Sequence, residues 1–291
     1  MAADADYELV LGGVTFRLRV WSASDVGRVR KVNEDSFLAT PPVFLVADGM
    51  GGHALGDRAS QTVVEVFGSL FTAPAPTTPD AVVSAISRAH EAVAALTVDT
   101  GDARSIAGTT LTGVALVAVG GGVSGSDGYH WMVFNVGDSR VYGWDGSTLA
   151  QVTVDHSAVQ ELLTRGLITR AEMTKHPQRN VITRAVGVDD FVSADVWFIP
   201  VSGRQLYLIC SDGLTKELGD EELAAVLRDS GDDPAEHLVA AALAAGGADN
   251  VTVVVLESEV VAGALPQGGT ARIVTTLPES LEDTLPRNQR I

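Results

Sequence analysis

The sequence predicts an α+β layered domain, with antiparallel sheets and helices packed outside them. Three observations lead there. Short β-like runs come in clusters, helical stretches fall in pairs between them, and regular strand–helix–strand alternation is absent. At 291 residues, with 46% hydrophobic and 20% charged positions, the chain has the composition of a soluble globular protein closed around one core. It shows no internal repeat.

Each element has its own signal. VTFRLRVW (14–21) alternates apolar and polar residues, as a half-buried strand does. VFLVA (43–47) is a continuous apolar run, the mark of a strand covered on both faces. DRASQTVVEVFGSLF (57–71) puts Val63, Val64, Phe67, Leu70 and Phe71 on one helical stripe. After the connector APAPTTPD, Asp80 is expected to cap a second helix over 81–96. Strands are expected again at 109–119, 130–136 and 140–144, with Asp145-Gly146-Ser147 as a hairpin turn. Residues 155–180 lack a long apolar stripe and read as a surface flap of short helices around Gly166. Strands at 195–200 and 205–210 precede a helix over 220–229. A further helix is capped by Asp233 with Pro234 first, and a last strand covers 251–257. Residues 1–258 are expected to form the domain, and the Pro/Gly/Thr-rich residues 259–291 a flexible tail.

Charge and composition narrow the function. A formal net charge of −17 argues against nucleic acid or an anionic membrane as partner, since both require a positive field. The single cysteine, Cys210, rules out an internal disulfide and reads as a buried hydrophobe within a strand. The first ten residues have no basic flank or apolar core, and no apolar stretch is long enough to span a bilayer. The expectation is a cytoplasmic protein.

The informative pattern is the placement of acids at strand ends. VFLVA runs into Asp48-Gly49, LYLIC into Ser211-Asp212-Gly213, and VFNV into Gly137-Asp138. Asp249-Asn250 leads into VTVVVL, and Asn33-Glu34-Asp35 precedes another short strand. Singly, each is a turn former or cap. Together, buried at one end of neighbouring strands, they would repel strongly unless cations neutralised them. Carboxylates and carbonyls without Cys or abundant His select hard octahedral metals such as Mg²⁺ or Mn²⁺. Whether these ends converge is a question for the tertiary structure.

Other site chemistries fit less well. Gly49-Met50-Gly51-Gly52-His53-Ala54 matches a dinucleotide-binding pattern, but Asp48 would face the pyrophosphate, and no second strand ending in an acid follows. There is no G-x-S-x-G elbow, Walker loop, HExxH or paired CxxC.

Eight segments, in order, carry a family resemblance: RVRKVNEDS (28–36), ADGMGGH (47–53), GTT (108–110), VGDSRVY (136–142), DHS (155–157), TRAVG (183–187), CSDGL (210–214) and ADNVTVVV (248–255). The set resembles the bacterial form of the metal-dependent protein serine/threonine phosphatases, the type 2C or PPM family, over residues 17 to 257. The resemblance implies a central antiparallel β-sandwich flanked on both sides by pairs of helices. It implies that Asp48 and the Gly49 carbonyl, with Asp212 and Asp249, hold two Mn²⁺ or Mg²⁺ ions, and that Asp35 acts through a water. Asp138 would join Asp212 at a weaker third site, and Arg30 would grip the substrate phosphate. Phosphoserine and phosphothreonine would be hydrolysed by direct attack of a hydroxide bridging the two ions, without a protein nucleophile. Where eukaryotic relatives have a histidine as general acid this chain has Met50, so the role passes to His53 or to a metal-bound water. The implied partners are phosphorylated proteins and a serine/threonine kinase whose work a monomeric enzyme reverses. The alternative class is a binding-only pseudophosphatase, which would be free to lose the acids present here.

Overall fold

The computed structural model describes residues 2–51, 55–99, 104–120, 128–263 and 272–274. The chain begins with β1 (Ala2–Leu11) and β2 (Val14–Asp25), a hairpin turned at Gly12 and Gly13, both at positive φ. Then follow β3 (Asp35–Thr40), β4 (Val43–Met50), α1 (Gly56–Leu70) and α2 (Pro79–Ala94). Three two-residue strands, β5 (Val98–Asp99), β6 (Arg104–Ser105) and β7 (Gly108–Thr109), lead into β8 (Leu111–Val119) and β9 (Gly128–Val136). β10 (Arg140–Trp144) and β11 (Leu149–Gln151) precede the short helices α3 (Ala158–Thr164) and α4 (Arg170–Met173). The chain continues with β12 (Asp195–Pro200), β13 (Arg204–Cys210), α5 (Asp212–Thr215), α6 (Asp220–Asp229) and α7 (Pro234–Ala245), and ends with β14 (Val251–Ala262) and β15 (Arg272–Val274).

Two antiparallel sheets are stacked, one in the order β1-β2-β14-β13-β10-β11 and the other β15-β12-β9-β8-β4-β3. Side-chain alternation divides the strands between three apolar layers. Phe44 and Val46 of β4 meet Phe16, Leu18, Ile209 and Val254 between the sheets. Val43, Leu45 and Ala47 of the same strand point the other way, onto α1 and α2. On the far side of the sandwich Leu208, Cys210, Val253 and Val255 pack against Leu223, Leu238 and Ala242 of α6 and α7. The architecture is α-β-β-α, and the continuous apolar run of β4 follows from its being covered on both faces. Cys210 is buried in the outer of these layers.

Two local expectations change. The cap of α2 is Thr78, whose hydroxyl accepts from Ala81 N at 3.2 Å, and Asp80 lies within the first turn. Pro79 decides this: lacking an N–H and fixed near helical φ, it suits the first helical position and so puts the cap one residue before itself. At the other end, β14 does not stop at residue 257 but runs to Ala262, and Arg272–Val274 pair with β12. The expected boundary after residue 258 therefore falls inside a strand, where Glu259 stands opposite both Arg17 and Arg204 and its charge masks the strand signal. Among the described residues no helix is long and apolar enough to cross a membrane.

Phe67 anchors α1 to the sandwich. It is fully buried, and its ring stacks on Phe134 of β9 with centroids 5.9 Å apart and an interplanar angle of 18°. Phe67→Ala is expected to cost about 3–5 kcal/mol of stability. Urea unfolding would record this as a lower midpoint at unchanged m; a loss below about 1 kcal/mol would contradict the packing of α1 described here.

Candidate metal centre

Strand register brings the first two acids together. β3 and β4 pair so that Asp35 stands directly opposite Asp48. In the same sheet, one strand beyond β8, β9 ends at Val136 and delivers Asp138 through Gly137. From the facing sheet, β13 ends at Cys210 and Ser211 passes the chain to Asp212, while Asp249 immediately precedes Asn250 and β14. These acids lie close enough to act on one another. Asp48 feels Asp35, Asp212 and Asp138, and Asp212 in turn feels Asp249. The convergence left open by the sequence is present.

The electrostatic cost is visible in four of the five acids. Burial, opposed by hydrogen bonds from Ser211 and Thr252, pushes Asp35 up to about 7. Burial and then Asp212 push Asp138 to about 7 as well. Asp48 keeps part of its surface open to solvent but lies deep among protein groups, and desolvation followed by its acidic neighbours holds it well above the usual carboxylate range. Desolvation also raises Asp212, against the opposing pull of Lys216. Burial would raise Asp249 too, but Lys216, the Asn250 N–H and Arg30 outweigh it and leave this acid below its ordinary value.

Backbone and hydroxyl groups hold the seat. Asp48 N donates to Thr110 Oγ1 at 2.9 Å, and Asp48 O accepts from Thr110 N and Thr109 Oγ1, each at 2.9 Å. Gly49 N donates to Glu34 O at 3.1 Å, and Ser211 Oγ donates to Asp35 Oδ2 at 2.8 Å. Two glycines are obligatory here because of close approach. A Cβ on Gly49 would lie 2.0 Å from Gly56 O, and one on Gly213 would lie 1.9 Å from Asn250 O.

Two cations sit against the acids. Arg30 is half-exposed and forms a fork on Asp249, Nε to Oδ1 at 2.9 Å and Nη2 to Oδ2 at 3.0 Å. Lys216 Nζ lies 2.6 Å from Asp212 Oδ2 and 3.2 Å from Asp249 Oδ2. Among the described residues no three acids, His or Cys already form a group that could hold a metal ion. The donor set nevertheless fits a hard divalent cation. It is all oxygen, and Asp35 Oδ1, Asp138 Oδ1 and Asp212 Oδ1 are buried with no hydrogen-bond partner.

Of the residues singled out in the sequence, Arg30, Asp35, Asp48, Gly49, Asp138, Asp212 and Asp249 gather at this end of the sandwich. His53 lies outside the described residues. Sequence reasoning missed Lys216 and Asn250. The signal for Lys216 was its place four residues after Asp212, one helical turn on. Asn250 fastens the Arg30 loop: its Nδ2 donates to Val26 O and Val32 O, and its Oδ1 accepts from Glu34 N.

A model of the protein phosphatase 2C family matches residues 28–245. The chain belongs to the protein phosphatase 2C family. The class of enzyme, a protein serine/threonine phosphatase, follows with it. The phosphatase is 32% identical over 243 residues to the serine/threonine phosphatase stp of Listeria welshimeri, a match spanning 80% of this chain and 93% of the relative. It is 36% identical over 245 residues to the serine/threonine protein phosphatase PstP of Mycobacterium tuberculosis, and covers 46% of that longer relative. The crystal structure of the M. tuberculosis phosphatase PstP/Ppp superposes with a TM-score of 0.71 at 36% identity, covering 84% of this chain and 98% of that one. A structure of a PstP catalytic domain in complex with two manganese ions also gives 0.71, at 33% identity, with 84% and 99% covered.

The raised acids fix the sign of a pH effect. A carboxyl that holds its proton more tightly folded than unfolded leaves the native state binding more protons, so stability falls as pH rises. For Asp138 the penalty accumulates from about 4 to about 7 and is complete above that. In chelator, Asp138→Asn should therefore raise Tm relative to the parent protein at pH 8 and lose this advantage towards pH 4. Mn²⁺ should raise the parent's Tm at pH 8. Thermal melts that show the variant less stable at pH 8 would contradict this electrostatic account.

Proposed function

We propose that this acidic end is the catalytic metal seat of the phosphatase, and that phosphoserine and phosphothreonine in proteins are hydrolysed there. The observation that carries the reading is the set of buried, unpartnered carboxylate oxygens on Asp35, Asp138 and Asp212 around Asp48. In this reading Asp48, the Gly49 carbonyl, Asp212 and Asp249 hold two Mn²⁺ or Mg²⁺ ions. Asp35 orients water from behind, and Asp138 with Asp212 takes a weaker third ion. When bound, such a pair of cations supplies a water of lowered pKa and positive charge against the phosphate oxygens.

The chain's own groups do the rest. Arg30 reaches the site from an exposed loop stapled by Asn250, and the fork it turns towards Asp249 is the geometry that accepts a phosphate. Lys216 offsets acid charge on the facing side. His53 is assigned the proton donor to the leaving oxygen. The partners are phosphorylated proteins, with the enzyme acting as a monomer against a serine/threonine kinase.

Hydrolysis of a phosphothreonine peptide should require Mn²⁺ or Mg²⁺ and stop in chelator. Asp48→Asn and Asp249→Asn should each lower kcat/KM by about a hundred-fold or more, the scale of losing a principal electrostatic stabiliser. Activity that survives both chelation and substitution would end this reading. His53→Ala should slow the phosphothreonine peptide, whose alkoxide leaves only with a proton, while sparing p-nitrophenyl phosphate, whose phenolate leaves without one. Equal rates on the peptide for variant and parent would remove His53 from the role.

A further inference from the structure

The base of the flap is tied to the Asp138 turn residue by residue. Asp138 stands between Gly137 and Ser139-Arg140, and consecutive flap residues hold both sides of it. Arg140 Nε and Nη2 donate to Asp155 Oδ1 and Oδ2 at 2.9 and 2.7 Å. His156 N donates to Gly137 O at 2.9 Å, and Gly137 N donates back to His156 Nδ1 at 3.1 Å. Ser139 Oγ is 2.7 Å from Thr110 Oγ1, the group that also receives Asp48 N.

The ring of His156 is buried and its tautomer is determined. Nδ1 accepts from Gly137, so a neutral ring carries its hydrogen on Nε2, which faces Asp195 Oδ2 at 3.2 Å. Arg184 Nη1 donates to the other oxygen of Asp195 at 2.8 Å, and Thr183 N donates to His156 O at 2.8 Å. One residue, through its backbone and its ring, thus joins the flap's entry, its exit at Thr183-Arg184, the start of β12 and the turn before Asp138. Gly137 has no slack of its own: it sits at φ +110°, and a Cβ there would lie 2.6 Å from Thr110 Cγ2. Its N–H is held by His156 Nδ1, while its carbonyl also accepts from Asn135 Nδ2 at 3.1 Å.

We propose that His156 is a positioning residue: by accepting the Gly137 N–H, its Nδ1 sets where the Asp138 carboxylate stands, and so couples the flap base to the weaker third cation site. The proposal rests on the reading of Asp138 as a ligand of that site. Asp195 acts behind it by accepting from Nε2–H, which leaves Nδ1 free to accept; Arg184, whose Nη1 also lies 3.2 Å from Nε2, holds Asp195 in place.

The test uses the full chain and Mn²⁺. His156→Asn keeps an acceptor near the Nδ1 position, whereas His156→Gln reaches towards Asp195 and leaves Gly137 N unmet; His156→Leu, with no acceptor, is the second such variant if the first fails to fold. Amide hydrogen exchange at Gly137 should accelerate at least about ten-fold in the Gln and Leu variants and stay near the parent rate in Asn. Calorimetric titration should show the weakest Mn²⁺ event weakened about ten-fold in the same two variants, as for loss of an outer support of a ligand. In an Asp138→Asn background the same substitutions should weaken Mn²⁺ binding no further. Unchanged Gly137 exchange, or effects of His156→Gln and Asp138→Asn that multiply, would overturn the positioning role alone. Mn²⁺ binding untouched by Asp138→Asn would overturn it together with the ligand reading on which it stands.

Discussion

Repulsion between carboxylates sharing one desolvated space is the constraint around which this fold is organised. Asp35, Asp48, Asp138 and Asp212 each have a raised pKa, and the pairs act on one another. No sequence gains stability from such an arrangement by itself, because each acid loses hydration and meets like charge. The surrounding structure must over-determine it. Lys216 and Arg30 offset part of the charge, while the unpartnered oxygens are left where a divalent cation can be bound.

The sandwich meets this demand through burial on all three of its layers. β4 packs against the helices with one set of side chains and against the facing sheet with the other, so its end has little freedom to move. The antiparallel register puts Asp35 against Asp48 without any side-chain contact having to enforce it. The close approaches at Gly49 and Gly213 serve the same purpose, since any side chain there would push the acid-bearing turns off neighbouring backbone. Acids that repel are thus held by backbone groups that cannot yield, a stability cost kept local to the site.

A second polar centre stands beside the first. Around His156, Asp155, Asp195, Arg140 and Arg184 the charges are paired and the hydrogen bonds close on one another, in contrast to the open oxygens of the acid cluster. A satisfied network is rigid, and rigidity next to an unsatisfied cluster gives the latter a fixed frame.

Much of the fold was legible in local pattern. The double-sided burial of VFLVA, the stripe of α1 carrying Val63 and Phe67, and the Asp233-Pro234 start of α7 all follow from periodicity and capping chemistry. The acids themselves were legible too, because Asp48, Asp138, Asp212 and Asp249 each stand at an apolar run. Less legible were β1, whose pairing with β2 supplies its stability, and the far end of β14, where cross-strand charges hide the alternation. Sequence by itself determined which residues place carboxylates at strand ends and which faces are apolar, since these depend on chemistry within a few residues; that Gly49 and Gly213 admit no side chain was decided by close approach in the fold. Only the tertiary structure decided that Asp35 opposes Asp48, that Lys216 reaches Asp249 and that His156 grips Gly137. Those contacts join residues from 13 to 33 positions apart, through register and sheet stacking that no local pattern encodes.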